Sequence, residues 1–348
     1  MIEDLSDLGW SAHFMMQLEA SDLEQFTPAR VSQVHRSLIK AHSAQGELSL
    51  TTKPGESTGD FAVGDWVLVD ADCRIVRRLE RLTELKRRAA GVDVRPQLIG
   101  ANIDVLFIAT SCNKEFNVAR LERYLILARA AGIPPVVLLT KADLTDDVAQ
   151  FEREAQTLDP ALPVLSLDAR SESQVLALFD WWRPGQTASV LGSSGVGKTT
   201  LLNALNQADH STAGIREGDA KGRHTTTARG LYAVGGGRWL IDTPGMRELG
   251  LHDVSEGVET VFADLIELAA QCKFTDCQHA EEPGCAVQGA IAAGDIDPDR
   301  LKRWQKLERE EQWNSETIAE SRRRNKERGR HIKRVSGERM AMKGRPPK

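Results

Sequence analysis

Eight residues, Gly192 to Thr199, constrain the fold of this chain more than any other segment, because they fit the pattern G-x-x-x-x-G-K-[ST]. The glycines let successive backbone N–H groups turn inward around an anion, and the helix that follows adds its positive N-terminal end. An apolar run, Ser189 to Leu191, precedes the loop, and a helical pattern begins at Lys198. Strand, loop and helix in this order predict a phosphate-binding site in an α/β domain.

The side chains of this loop have separate predicted roles. Lys198 is placed to reach the β- and γ-phosphates of a nucleoside triphosphate, and the Thr199 hydroxyl is placed to bind the accompanying Mg²⁺. The predicted nucleotide contacts run from the first glycine of the loop into the following helix: Gly192, Ser193, Ser194, Gly195, Val196, Gly197, Lys198, Thr199 and Thr200.

A second motif, Thr140-Lys141-Ala142-Asp143, lies upstream of the loop and fits the pattern [NT]-K-x-D. It follows an apolar run, Ile133 to Leu139, that predicts a buried parallel strand. The carboxylate of Asp143 can accept hydrogen bonds from N1–H and the exocyclic amine of guanine, a pair of donors that adenine lacks. Lys141 is expected to pack along the base and the loop. Together the two motifs predict a guanine-nucleotide site, although a four-residue motif alone also arises by chance on surface turns.

Three further positions are candidates for the same site. Asp242 follows an apolar run, where a carboxylate in the second shell of the metal is needed, and the N–H of Gly245 is expected to contact the γ-phosphate. Ser166 lies at the end of the strand that follows the guanine-selecting motif and is a candidate backbone contact to the guanine carbonyl. An ordinary strand-end serine is an equally good interpretation of Ser166.

The segment Lys221 to Thr227 lies where the first switch loop of a GTPase is expected. One of Thr225 or Thr226 is predicted to complete the Mg²⁺ shell when GTP is bound. Met246 occupies the position of the glutamine that usually orients the attacking water, which predicts slow intrinsic hydrolysis or another water-positioning residue. His224 is the candidate for that catalytic role, and an ordinary flexible basic loop is the alternative.

The order of these motifs is rotated, because the guanine-selecting motif precedes the phosphate loop instead of following it. A rotated order preserves the nucleotide site and moves the chain ends, so different domains become attached to the switch segments. Between Ile103 and Asp242, apolar runs alternate with helical patterns. This alternation predicts a multidomain α/β protein whose central domain has a doubly wound, mostly parallel sheet.

Short strands with turn residues between them occupy the chain from Ala29 to about Leu98. They predict a small β-barrel, OB-like or SH3-like. Residues 1 to about 28 are polar, and we expect them to be loosely ordered. The segment Arg81 to Arg95 is rich in arginine, which indicates either a mobile loop of the barrel or a basic contact surface.

Three cysteines and a histidine cluster near the C-terminal end of the chain: Cys272, Cys277, His279 and Cys285. Thiolates and an imidazole are ligands that suit tetrahedral Zn²⁺, and four protein ligands leave no open position, so the metal is expected to be structural. The spacing is looser than that of a Cys-x-x-Cys knuckle, so unligated core cysteines stay an alternative on spacing alone. A disulfide is disfavoured in a cytosolic chain.

Charge is unevenly distributed along the chain. The formal net charge is −5, but residues 321–348 contain twelve Lys or Arg and two Asp or Glu. This basic tail indicates an anionic partner, or a disordered solubilising end. The first residues lack the apolar core of a secretory signal, and no apolar stretch is long enough to span a bilayer. We therefore expect a soluble cytoplasmic protein without a membrane partner.

Taken in order, the motifs TKAD, GSSGVGKTT, KGRHTTT and DTPGM, followed by the segment Cys272 to Val287, resemble the circularly permuted GTPases that depend on the small ribosomal subunit, the RsgA (YjeQ/YloQ) family. Val63 to Val67 is similar to the OB-fold signature of that family. The resemblance covers the chain from about residue 30 to 310. It implies an N-terminal extension and OB-fold RNA-binding domain (1–98), a circularly permuted P-loop GTPase domain (99–255), and a helical zinc-binding domain with the basic tail (256–348).

The resemblance also implies a function. Members of the family bind the small (30S) ribosomal subunit and its 16S rRNA late in maturation, and the subunit stimulates their hydrolysis of GTP to GDP. By this resemblance we expect a cytoplasmic monomer with one structural Zn²⁺, Mg²⁺ bound together with GTP, and release from the subunit on hydrolysis. His224 matches the histidine proposed to replace the missing glutamine, and Thr140 stands where many members have asparagine. Met246 motivates the alternative, a nucleotide-regulated RNA-binding or scaffold protein with incidental hydrolysis.

Overall fold

The computed structural model of the protein describes residues 4–88, 96–212, 229–242 and 254–315. The predicted site residues His224, Thr225, Thr226 and Gly245 lie outside the described residues. The same holds for the basic tail beyond residue 315 and for residues 89–95 of the arginine-rich segment.

The first part of the chain forms a five-stranded antiparallel sheet in the order β3-β2-β1-β4-β5. Its strands are β1 (Thr27–Val34), β2 (Ile39–Ser43), β3 (Gly46–Leu50), β4 (Trp66–Val69) and β5 (Ile75–Arg78). A parallel bridge between Thr51 and Arg74 joins the two edges. The N–H of Ile75 donates to the carbonyl of Thr51 at 2.9 Å, which closes the sheet into a barrel around buried aliphatic side chains. The predicted OB-type barrel is confirmed.

The expectation of a loosely ordered N-terminus is wrong for residues 4–26. They form a 3₁₀ turn (Leu5–Leu8) and two short helices, α1 (Ala12–Met15) and α2 (Asp22–Gln25). Leu8 and Phe14 are buried, and Trp10 meets the ring of Trp66 edge-on, with centroids 4.7 Å apart. These few apolar residues are separated by polar ones, so no periodic pattern marked them, and their burial comes from the barrel on which they pack.

A buried arginine joins this N-terminal segment to the rest of the protein. Arg30, on β1, donates to the carbonyl of Leu8 at 2.5 Å and to the Thr187 hydroxyl at 2.7 Å. Burial lowers the pKa of Arg30 to about 10, against the opposing effect of Asp104. The guanidinium therefore stays charged at neutral pH and fixes the barrel against the start of the strand that leads to the phosphate loop.

The described part of the arginine-rich segment contains β6 (Glu84–Arg88), which pairs antiparallel with β7 (Pro96–Ala101). Arg81, at its start, donates to both carboxylate oxygens of the buried Asp65, at 2.6 and 2.8 Å. Arg81 is therefore an internal ion-pair partner rather than a contact for an outside anion.

The central sheet has six strands in the order β10-β9-β8-β11-β13-β12. All neighbours are parallel except β12, which is antiparallel to β13. The strands are β8 (Val105–Ser111), β9 (Pro135–Thr140), β10 (Val164–Leu167), β11 (Thr187–Gly192), β12 (Gly230–Val234) and β13 (Arg238–Asp242). The helices around them are α3 (Val118–Ala130), α4 (Val148–Gln156), α5 (Glu172–Leu176) and α6 (Lys198–Thr212). The predicted doubly wound sheet is confirmed.

On one side of β8 lie β9 and β10, which follow it in the chain. On the other side lies β11, followed by β13 and β12, so the strand order reverses between β8 and β11. In open α/β sheets, ligands bind beyond the carboxyl ends of the strands at this point. The phosphate loop starts there, at the end of β11.

Among the described residues, four helices follow the sheet: α7 (Ser255–Val261), α8 (Ala263–Ala269), α9 (Ala286–Ala293) and α10 (Pro298–Ser315). Glu122 of α3 is fully buried and accepts hydrogen bonds from Arg303 of α10 at 2.7 Å and from Arg300 at 3.4 Å. Burial raises the pKa of Glu122, and the two arginines oppose that rise. The ion cluster fixes the last helix on the central domain. No helix among the described residues combines the length and apolar character that a bilayer crossing requires.

Candidate functional site

The carboxyl ends of β8, β9, β11 and β13 share one edge of the sheet, because these strands are parallel. The motif Thr140–Asp143 leaves β9 there, the phosphate loop leaves β11, and Asp242 ends β13. The structure therefore brings together the described motifs of the predicted nucleotide site, in spite of their rotated order in the sequence.

The phosphate loop depends on its glycines. The φ values are 155° at Gly192, 83° at Gly195 and 92° at Gly197. Residues with a side chain rarely adopt such positive φ values. A Cβ on Gly192 would lie 2.3 Å from the carbonyl oxygen of Ala109 on the neighbouring strand, so only glycine fits. Val196 is buried in the core and anchors the loop.

Lys198 folds back over this loop. Its Nζ donates to the carbonyls of Gly192 at 2.7 Å and of Ser193 at 2.5 Å. Burial lowers the pKa of Lys198, and the charge of Asp242 opposes the shift. The ammonium is thus held at the mouth of the loop, close to a carboxylate, as a phosphate-binding lysine requires. Ser194, Thr199 and Thr200 are exposed.

The guanine-selecting motif is bonded directly to the phosphate loop. The buried Thr140 hydroxyl lies 2.5 Å from the carbonyl oxygen of Val196 and 3.0 Å from that of Thr110. Lys141, in a left-handed conformation with φ 59°, donates from Nζ to the carbonyl of Gly195 at 2.7 Å. These contacts clamp the loop against β9. A hydroxyl has a single proton for two carbonyls, whereas an asparagine amide at this position would supply two donors.

We expect Thr140→Val to weaken GDP binding by roughly five- to tenfold, because a buried carbonyl loses its donor while side-chain volume is preserved. Thr140→Ser keeps the hydroxyl and is the matched control, with affinity near that of the wild type. Titration with a fluorescent GDP analogue measures both constants. Equal affinities for Thr140→Val and the wild type would show that the loop does not need this clamp.

Asp143 lies two residues after Lys141, in the 3₁₀ turn Ala142–Leu144. Its carboxylate accepts a hydrogen bond from Arg170 at 2.5 Å. Ser166 pairs with Leu139 inside the sheet, and its hydroxyl donates to Glu152 at 2.5 Å. Arg170, which lies after the strand end, is the residue that reaches Asp143. Sequence reasoning missed it, although the Asp-Ala-Arg run directly after β10 was the available signal.

The four predicted metal ligands meet in one place. The ligand atoms of Cys272, Cys277, His279 and Cys285 lie within 4.8 Å of one another. Sγ of Cys272 is 3.8 Å from Sγ of Cys285, and Nδ1 of His279 is 3.6 and 3.5 Å from these two sulfurs. Tetrahedral Zn²⁺ with bonds near 2.3 Å to sulfur and 2.1 Å to nitrogen sets its ligands roughly 3.5–3.8 Å apart. The cluster is compatible with zinc, and its sulfurs are too far apart for a disulfide.

The surroundings of the cluster fix its ligands. Cys285 caps the N-terminus of α9, where its sulfur accepts the N–H of Gln288 at 3.4 Å. The ring of His279 stacks on Trp304 of α10, with centroids 5.7 Å apart. Two of the cysteines are only half-buried, which disfavours the alternative of unligated core thiols.

Comparisons with known proteins agree with this geometry. Residues 78–252 match the family described as RsgA GTPase. The chain is 52% identical over 316 residues to the small ribosomal subunit biogenesis GTPase RsgA of Mesorhizobium japonicum, covering 89% of this chain and 91% of that protein. It is 45% identical over 340 residues to RsgA 2 of Vibrio vulnificus, covering 97% of each.

Two solved structures share the fold. YjeQ from Thermotoga maritima aligns with a TM-score of 0.58 and 23% identity, covering 81% of this chain and 97% of that one. YloQ, described as a circularly permuted GTPase, aligns with a TM-score of 0.56 and 21% identity, covering 84% and 97%. The rotated arrangement of the GTPase fold is therefore confirmed. The chain belongs to the RsgA GTPase family, and the prediction that it is a GTP hydrolase is confirmed.

Proposed function

We propose that the protein binds the small ribosomal subunit, assists its late maturation through contacts with 16S rRNA, hydrolyses GTP to GDP there, and leaves on hydrolysis. One observation carries the proposal. The clamp from Thr140 and Lys141 to the phosphate loop joins the guanine-selecting motif and the phosphate-binding motif into one site. Two relatives that match most of this chain are named small ribosomal subunit biogenesis GTPases.

In the proposed mechanism the loop from Gly192 to Thr200 surrounds the phosphates through its backbone N–H groups, and Lys198 moves from the loop carbonyls to the β- and γ-phosphates. Thr199 holds Mg²⁺, which neutralises charge on the phosphate oxygens when bound. Asp242 supports that metal from its second shell. Asp143 accepts the hydrogen bonds of the guanine edge.

Hydrolysis itself is assigned to the switch segments. Thr225 or Thr226 and the N–H of Gly245 are proposed to contact the metal and the γ-phosphate. His224 is proposed to position the attacking water, because Met246 has no group that can do so. These proposals concern residues outside the described ranges and rest on the sequence.

The regions before and after the central domain are proposed to bind rRNA. The barrel precedes the central domain in the chain, the helices beyond residue 255 follow it, and the tail of residues 321–348 is strongly basic. Such a tail favours contact with RNA phosphates. We further propose that Cys272, Cys277, His279 and Cys285 hold one structural Zn²⁺, that the domains divide near residues 98 and 255, and that the protein is a cytoplasmic monomer without a membrane partner.

The proposal is tested by GTP turnover with and without purified 30S subunits at low salt, with 50S subunits as the control. We expect stimulation by 30S on the order of 10²-fold or more, because a side chain positioned to act on the attacking water contributes about 10²- to 10⁴-fold. His224→Ala should still bind 30S in the presence of a non-hydrolysable GTP analogue but lose most of the stimulated turnover. A rate that 30S subunits leave unchanged contradicts the ribosomal role.

A further inference from the structure

A three-membered ion cluster surrounds the base-selecting carboxylate. Nη2 of Arg170 donates to Oδ2 of Asp143 at 2.5 Å. The same guanidinium donates to Asp168, from Nε at 3.0 Å and from Nη2 at 3.1 Å. The side chain of Arg170 is 66% exposed, while those of Asp143 and Asp168 are 25% and 23% exposed. One cation therefore lies between two acids that would otherwise repel each other.

Arg170 is held by its own turn rather than by Asp143. The N–H of Asp168 donates to Oε1 of Gln174 at 2.8 Å, and Oδ1 of Asp168 accepts the N–H of Arg170 at 2.9 Å. The N–H of Ser171 donates to the carbonyl of Asp168 at 3.0 Å. The hydrogen bond to the Arg170 side chain holds the pKa of Asp168 below its usual range. The turn thus presents a fixed guanidinium to Asp143.

An ionised carboxylate has about four acceptor positions, two on each oxygen. Guanine takes one on each oxygen, through N1–H and the exocyclic amine. Arg170 takes one position on Oδ2, so the arginine and the base can bind Asp143 at the same time. A bond from a fixed donor restricts rotation of the carboxylate, which lowers the entropy cost of ordering it for the base.

We propose that Arg170 is a positioning residue for base recognition: it fixes the orientation of Asp143 and separates it from Asp168, so that both carboxylate oxygens face the guanine edge. The inference deepens the proposed guanine-nucleotide site and rests on it. The contacts of Arg170 are with the carboxylates of Asp143 and Asp168, and the proposed mechanism gives it no role at the phosphates or the reacting water. Its effect should therefore appear in base selection and not in the stimulated rate at saturating GTP.

The test is the affinity of Arg170→Ala for GDP and for inosine diphosphate, which lacks the exocyclic amine, by competition against a fluorescent GDP analogue. We expect GDP affinity to fall by roughly three- to tenfold. A partly exposed ion pair contributes modestly, and this one positions the carboxylate that binds the base. The loss for inosine diphosphate should be smaller, so the preference for GDP falls. Arg170→Lys keeps the charge and should lie between Arg170→Ala and the wild type.

Arg153→Ala is the matched control, because Arg153 is on α4 and its Nε bonds only within its own helix, to the carbonyl of Ala149 at 3.1 Å. It should match the wild type. Unchanged GDP affinity in Arg170→Ala, tighter GDP binding, or equal losses for both nucleotides would overturn the inference. A wild-type protein that does not prefer GDP over ADP would instead remove the proposed guanine site, and this inference with it.

Discussion

Asp143→Asn is expected to move the nucleotide preference from guanine to xanthine by on the order of 10²-fold or more. An asparagine presents an N–H donor where a carboxylate oxygen accepted a hydrogen bond, so the exocyclic amine of guanine then faces another donor. Xanthine carries a carbonyl oxygen at that place and can accept the new hydrogen bond. The clamp of Thr140 and Lys141 on the phosphate loop is untouched, so the phosphate contacts should persist.

The measurement is competition of GDP and xanthosine diphosphate for the site, followed by turnover of GTP and xanthosine triphosphate in the presence of 30S subunits. Asp146→Asn makes the same chemical change at an exposed position three residues away and should leave the guanine preference intact. Binding of xanthosine diphosphate by Asp143→Asn demonstrates that the variant is folded. If Asp143→Asn binds GDP as the wild type does, the base is recognised by other residues.

Local patterns were sufficient to predict the parts of the fold that depend on neighbouring residues. The phosphate loop is one segment, and its glycines, lysine and apolar anchor Val196 all act within eight positions. Turn glycines and short β-rich runs predicted the barrel for the same reason. The ligands of the proposed zinc site also lie within fourteen residues, so their spacing carried the signal.

Contacts between distant segments carried no such signal. The base-selecting aspartate is oriented by Arg170, a residue that becomes its neighbour only through the pairing of β9 with β10. Ser166 lies inside β10, where its hydroxyl donates to Glu152, and its contact with the guanine carbonyl stays a prediction. No periodic pattern indicates that Leu8 and Phe14 are buried in the otherwise polar N-terminal segment, and no sequence pattern indicates that Arg30 is buried among carbonyls.

Removal of the proposed metal is expected to unfold α8, α9 and α10, while GDP still binds. Helices α8 and α9 have seven and eight residues, too few for stability in isolation. The segment between them is mostly exposed and contains the four proposed ligands, so the proposed metal would take the place of a core. Structural zinc contributes about 10 kcal/mol or more in small zinc domains, which is comparable to the whole free energy of unfolding of a typical domain.

Two arginines make this unfolding easy to detect. Arg300 and Arg303 are buried or half-buried against Glu122, so trypsin should cleave after them only once α10 is released. Chelator treatment followed by limited trypsin digestion and mass spectrometry measures the cleavage, and added Zn²⁺ should reverse it. Cys277→Ser should behave as the chelated protein does, and Cys73→Ser, which alters a cysteine of the barrel, should not.

Nucleotide binding should survive this loss for an electrostatic reason. When α10 leaves as a unit, both arginines depart together and Glu122 becomes exposed to water, so no unpaired charge stays buried in α3. The sheet edge that carries Thr140 and the phosphate loop does not depend on the departing helices for its hydrogen bonds. Purified protein without bound zinc, or trypsin resistance at Arg300 and Arg303 after complete chelation, would show that the cluster holds this region together without a metal.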